Sequence, residues 1–141
     1  MQRTFVVMTQ EDKELLIEDL SARLPYGVKL GFYASATKQT YICTLLGLEP
    51  QEDEPIIAKT ENGSFYMLAG NVKPYLFPMS SMTEEQKRAY NMMSLDADWV
   101  SNPHYNVPAY NVLDWLNENH LDYRDLIGKG LALDATGLDI Y

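Results

Sequence analysis

One cysteine, Cys43, and two histidines, His104 and His120, are all that 141 residues offer of the side chains that most often serve as thiolate nucleophiles, imidazole bases and metal ligands. A lone thiol excludes an internal disulfide framework and fits a reducing compartment, so the expected location is the cytoplasm. The two histidines are 16 positions apart, with no second cysteine and no helical i, i+4 pairing, so no metal and no cofactor is expected. Basic residues are scarce as well. Eleven Lys and Arg stand against 20 Asp and Glu, a net charge of −9, which repels phosphate backbones and argues against direct nucleic-acid binding. The longest nearly uncharged apolar stretch, Tyr41 to Leu48, falls far short of the roughly 20 residues that span a bilayer, so no membrane role is expected. At the N-terminus Arg3 precedes only Thr4 to Met8, too little for the apolar core of a secretion signal. A glycine-rich phosphate loop is missing too, because Gly128-Lys129-Gly130 follows a helical stretch instead of opening one.

What is present predicts a single α+β protein with two parts: an N-terminal helix plus a small β-barrel-like unit over 1–80, and a helical C-terminal part over 81–141 packed on it. Thr9-Gln10-Glu11-Asp12 places a hydroxyl cap three residues before an acid, and Leu16, Ile17, Leu20 and Leu24 then share one stripe. Pro25 and Gly27 stop that helix. From Val28 the period drops to two: Val28, Leu30 and Phe32 alternate with Lys29, Gly31 and Tyr33, and Thr40 to Leu48 continues in the same style. An acidic, proline-bounded loop over Glu49 to Pro55 leads to a pair of strands around Asn62-Gly63, read as the centre of a type I′ turn. Val72 to Pro78 reads as a last short edge strand, with Pro74 and Pro78 confining it to an edge or to a strand end. Five short antiparallel strands in about fifty residues suggest a strongly bent sheet or barrel, with an SH3-like roll as first choice.

Thr83-Glu84-Glu85-Gln86 is a capping box for a second helix that runs to about Ser94. Leu95 to Val107 has no period. Pro108 suits the first turn of a third helix with Ala109, Val112, Leu113 and Leu116 on its apolar face, and Asp122 can cap a short fourth helix ended by Gly128. Trp115 borders the third helix's apolar face and is expected to be mostly buried, with Tyr123 and Leu126 closing over it.

Three blocks together carry a resemblance: Leu24-Pro25-Tyr26-Gly27-Val28-Lys29; then Val72 to Pro78 with Ser80-Ser81-Met82-Thr83-Glu84-Glu85-Gln86; then Asp114-Trp115-Leu116-Asn117 through Asp134-Ala135-Thr136-Gly137. In these the chain resembles small uncharacterised proteins of phages, prophages and other mobile elements of gut anaerobes of the Bacteroidales type. The likeness weakens across Leu95 to Val107 and implies no activity or cofactor. In similar proteins the chain begins near the counterpart of Met8, so Met1 to Val7 reads as an extension.

Each candidate for chemistry has a plainer structural reading. Cys43 lies among Tyr41, Ile42, Thr44 and Leu45, where free cysteine acts as a small buried apolar residue, and a reactive thiolate would need a His or a helix N-terminus beside it. His104 and His120 would need Asp96, Asp98 or Asp122 to hold a metal. Asp122 and Asp125 fit a first helical turn, with Arg124 paired to one of them or to Asp114. Ten tyrosines are the compositional excess, and tyrosine offers large amphipathic area with little entropy to lose on binding. Tyr33, Tyr41 and Tyr66 occupy sheet positions, where packing the barrel accounts for them as well as a contact role does. Tyr90, Tyr105, Tyr110, Trp115, Tyr123 and Arg124 are the candidate interaction surface. The residues favour a non-enzymatic binding or adaptor protein for a protein partner. The alternatives are an acidic nucleic-acid mimic that occupies a basic groove, and a small hydrolase or transferase with its site in a pocket that gathers His104, His120 and carboxylates.

Overall fold

A computed structural model of the chain describes residues 8–95 and 111–141. The element order is α1 (Gln10–Arg23), β1 (Lys29–Ala34), β2 (Gln39–Leu48), β3 (Ile56–Thr60), β4 (Gly63–Met67), β5 (Val72–Pro78), α2 (Glu84–Leu95), α3 (Asn111–Glu118), β6 (Leu121–Asp122) and β7 (Leu133–Asp134). The chain is α+β. Asp96, Asp98, His104 and Tyr105 of the aperiodic connection, Pro108 and Ala109 of the expected start of the third helix, and Tyr110 lie outside the described residues, as does Met1 to Val7.

The expected caps form. Thr9 Oγ1 accepts from the Asp12 amide at 3.0 Å, and in the capping box the Gln86 amide donates to Thr83 Oγ1 at 3.1 Å while Gln86 Oε1 accepts from the Thr83 amide at 3.0 Å. After α1 a single 3₁₀ turn over Leu24–Tyr26 ends on Gly27 at φ +67°, the left-handed conformation that a side chain resists.

The strands run in the order β4-β3-β2-β1-β5-β6, with β7 also on β5. β1 to β5 pair antiparallel, and registers such as Leu30 opposite Cys43 and Ala58 opposite Phe65 follow the alternation. Leu16 and Leu20 of α1 meet Val28, Leu30, Leu45, Ile56, Val72 and Leu76 in one core, and Leu126, Leu131 and Ala132 from the C-terminal stretch join it. Burying this apolar surface is the main favourable term in folding. No helix among the described residues is long and apolar enough to cross a membrane.

Four expectations are corrected. First, β5 is interior: it pairs with β1 over Val72 to Pro74, then in parallel with β7 at Tyr75 and Leu76 and with β6 at Phe77 and Pro78. Pro74 and Pro78 stand where these pairings end, the places at which a missing N–H matters least. Second, the β3-β4 turn is centred on Glu61-Asn62. Neither has positive φ, and Gly63 at φ +121° opens β4, so a type I′ turn is not formed.

Third, no fourth helix follows Asp122. Asp125 is left-handed at φ +57°, which breaks a helix there, and the next residues make one capped turn. In it the Leu131 amide donates to Leu126 O and the Gly130 amide to Ile127 O, with Gly130 at φ +77°, the bonding of a Schellman cap. The Asp122 carboxylate still caps, since its two oxygens accept from the Leu126 and Ile127 amides at 2.8 and 2.9 Å. Gly130 ends the turn, while Gly128 makes room for the Asp125 carboxylate, whose Oδ1 would lie 2.5 Å from an added Cβ.

Fourth, the inward face of α3 is carried by Leu116 and Asn117, and Leu113 is 49% exposed. Turning α3 this way leaves Trp115 half-buried, with its ring stacked on Tyr90 of α2 at 6.4 Å between centroids.

Candidate functional site

The stripe of α1 that faces inward holds more than leucine. Leu16, Asp19, Leu20 and Arg23 follow the i, i+3, i+4, i+7 spacing of one helical face, and both charged residues are fully buried. Arg23 Nε donates to Asp19 Oδ2 at 2.8 Å and its Nη2 to the carbonyl of Leu121 at 2.7 Å. The other carboxylate oxygen, Asp19 Oδ1, accepts from Arg124 Nη1 at 2.9 Å, and Glu18 lies 3.8 Å from Arg124 Nη2. Both guanidinium groups lie over the Tyr123 ring, at 5.2 Å for Arg23 and 4.9 Å for Arg124. The Tyr123 hydroxyl accepts from Arg124 Nη1 at 3.1 Å and donates to Asn117 Oδ1 at 2.9 Å.

Arg124 therefore pairs with Asp19 and Glu18, not with Asp114, Asp122 or Asp125 as the helical spacing suggested. Asp122 is engaged in its turn, and Asp114 instead lies beside the Tyr26 hydroxyl, whose pKa is raised by desolvation and by that carboxylate. Each carboxylate oxygen of Asp19 is engaged by an arginine and the side chain is fully buried, so it is not presented to a substrate. The cluster is a clamp between α1 and the segment that follows α3.

Beside it, His120 ends α3 in the left-handed region at φ +57° and hands its carbonyl to the Phe77 amide at 2.8 Å. Its ring lies 3.6 Å from that of Tyr141, nearly parallel, and its Nδ1 is buried without a protein partner. Desolvation, then the charges of Arg23 and Lys29, push His120 down to about 4, so the imidazole is neutral at physiological pH. The Tyr141 hydroxyl donates to Tyr75 O at 2.6 Å and accepts from the Lys29 amide at 2.8 Å, and burial of this phenol end raises it to about 12. The C-terminal residues thus cover the outer face of β1 and β5, where an added Cβ on Gly31 would meet Leu133 at 2.7 Å and Tyr75 at 3.2 Å.

Burial raises the Cys43 thiol to about 11, and its Sγ points at the Leu30 carbonyl at 3.6 Å, so it is a protonated core residue. Among the described residues no three His, Cys, Asp or Glu side chains gather as a metal site, and a hollow along α1 lined by Gln10, Lys13, Glu14, Ile17, Glu18 and Pro50 contains no histidine. Of the six candidate contact residues, Tyr90 and Trp115 form one half-buried stack, Tyr123 and Arg124 belong to the clamp, and Tyr105 and Tyr110 lie outside the described residues.

The open surface lies elsewhere. On the face of β2, β3 and β4 away from the core, Ile42, Ile57 and Tyr66 follow the alternation, and Leu46 joins them from the irregularity between Leu45 and Gly47. Ile42, Leu46, Phe65 and Tyr66 are each between 46% and 52% exposed. Tyr41 is also exposed, so neither it nor Tyr66 packs the sheet. The alternating run from Tyr41 already carried the signal, but an apolar residue on an uncovered face and one on a covered face look alike in sequence. The sequence matches no family model, no curated protein and no solved structure.

Proposed function

We propose that this chain is a non-enzymatic binding protein, an adaptor of a phage or other mobile element that engages a protein partner in the cytoplasm. The observation that carries the reading is the apolar surface left exposed at the β2 to β4 end of the sheet: Ile42, Leu46 and Tyr66 on the face away from the core, and Phe65 on the opposite face of β4. Large apolar side chains left exposed on a sheet supply the surface that a protein partner covers. Tyr90 and Trp115 supply a second aromatic patch of the type that anchors interfaces. We read β1 to β5 as an SH3-like roll, a reading supported by the order β4-β3-β2-β1-β5 and by the 3₁₀ turn Ala69–Asn71 just before β5.

The test is affinity purification from a native host, with the parent and an Ile42→Ser, Tyr66→Ser variant compared by mass spectrometry. Both exposed residues can be truncated with little loss of fold, so the variant should melt within a few degrees of the parent while losing at least about nine-tenths of a saturable partner, a change of roughly 1.4 kcal/mol or more. A parent that retains no saturable protein partner would overturn the reading.

A further inference from the structure

We propose that the free edge of β4 receives an extended, lysine- or arginine-bearing segment of the partner protein as an added strand. The inference rests on the protein-binding reading and names the partner's chemistry. Among the described residues β4 ends the strand order, with β3 on one side and no strand on the other. A strand in that position presents a row of backbone donors and acceptors, and proteins usually blunt such an edge with charge, proline or a covering element. Gly63-Ser64-Phe65-Tyr66-Met67 has neither charge nor proline. Its two large aromatic side chains point to opposite faces, Phe65 in register with Ala58 and Tyr66 with Ile57, and both are about half exposed. A strand laid along this edge would therefore find apolar surface above and below it, with the main-chain bonds supplying affinity and the alternate side chains specificity.

Charge selects the occupant. The Tyr66 hydroxyl donates to Glu49 Oε1 at 3.1 Å, and Glu49 and Glu52 both act on its phenol to raise its pKa. Asp53 and Glu54 continue the same exposed loop, and Glu61 stands exposed at the far end of β4. Lys59, in register with Ser64, is a cation beside this edge. A second copy of the chain would bring another net charge of −9 to this edge and align like charges, whereas a segment with alternating apolar and basic residues meets complementary charge.

The experiment is an amide NMR titration of the full chain with a short, end-blocked peptide of alternating valine and lysine. Two further peptides serve as controls, one with glutamate for lysine and one with a central proline. The amides of Gly63 to Met67 should shift, and their hydrogen exchange should slow by about tenfold or more at saturation. The glutamate peptide should bind at least about tenfold more weakly, and the proline peptide should lose the exchange protection because it cannot complete the ladder. Tyr66→Ser should weaken the lysine peptide while melting like the parent.

Equal binding of lysine and glutamate peptides would overturn the proposal, as would no shift with any peptide. Shifts confined to Tyr90 and Trp115 would overturn the edge site and leave the protein-binding reading in place. Dimerisation with β4 amides protected in the absence of peptide would show that a second copy occupies the edge, and would likewise overturn it.

Discussion

Asp19→Ala is expected to cost about 3–5 kcal/mol of folding stability, the range for removing one partner of a buried ion pair. Its two oxygens hold Arg23 and Arg124 at 2.8 and 2.9 Å, and Arg23 is fully buried. Without Asp19, Arg23 would keep a charge in the core with only the Leu121 carbonyl and the Tyr123 ring to stabilise it. Arg124 would keep Glu18, whose side chain is 68% exposed and at 3.8 Å contributes little. Asp19→Asn should also be strongly destabilising, because the amide keeps the shape and loses the charge. The double replacement Asp19→Leu, Arg23→Met should cost less than either single change, since it removes the desolvated charges together. Urea denaturation of the four proteins checks this. A loss below about 1 kcal/mol for Asp19→Ala would assign the cluster the small value of a surface pair.

The second large effect is on pH. In the unfolded chain His120 takes a proton near its ordinary value of 6.5, whereas in the fold it does so only at about 4. Between these values the unfolded state holds a proton that the native state does not, so stability falls as pH drops through this window. The contribution is fully present above about pH 6.5 and exhausted below about pH 4, and it amounts to at most about 3 kcal/mol, reduced by whatever water reaches the partly buried ring. Unfolding curves from pH 7.5 to 4 should show this loss in the parent. A His120→Gln variant should lack that component and keep only the carboxylate titration at lower pH. A parent whose stability is flat between pH 6.5 and 5 would contradict the buried, neutral imidazole stacked on Tyr141.

Local chemistry made the helices and most strands legible. Thr9 with Asp12 and Thr83 with Gln86 interact across three residues, and a cap needs nothing from the rest of the chain. The strands from Val28 to Met67 declared themselves through a period of two with turn residues between them. The clamp did not, because Arg124 and Asp19 are 105 positions apart. One signal was available: Asp19 and Arg23 occupy the same helical stripe as Leu16 and Leu20, and an i, i+4 charge pair on an apolar face implies a buried pair.

β6 and β7 are two residues each, too short for any period, and they exist because the edges of β5 supply their pairing. Asp122 shows how a correct chemical reading can meet the wrong backbone. Its side chain does cap, but Asp125 in the left-handed region turns the chain before a helix can form. The open end of the sheet was hidden for a different reason. Tyr66 has the sequence environment of a packed strand residue, and what distinguishes it is that the C-terminal residues cover the outer face of β1 and β5 instead of that of β4.

Leu121 to Tyr141 is built into the fold, clamped to α1 through Arg124 and Asp19 and paired to β5, which leaves the open end of the sheet for the binding proposed above. Native-state hydrogen exchange tests that integration most directly. The Phe77 amide, bonded to His120 O, the Leu126 amide, bonded to Asp122, and the Ala135 amide, bonded to Leu76 O, should exchange with the same opening free energy as the Leu45 amide in the middle of the sheet. Leu126 and Ala135 exchanging through a low-energy local opening, while Leu45 stays fully protected, would show a separable C-terminal segment and contradict the claim.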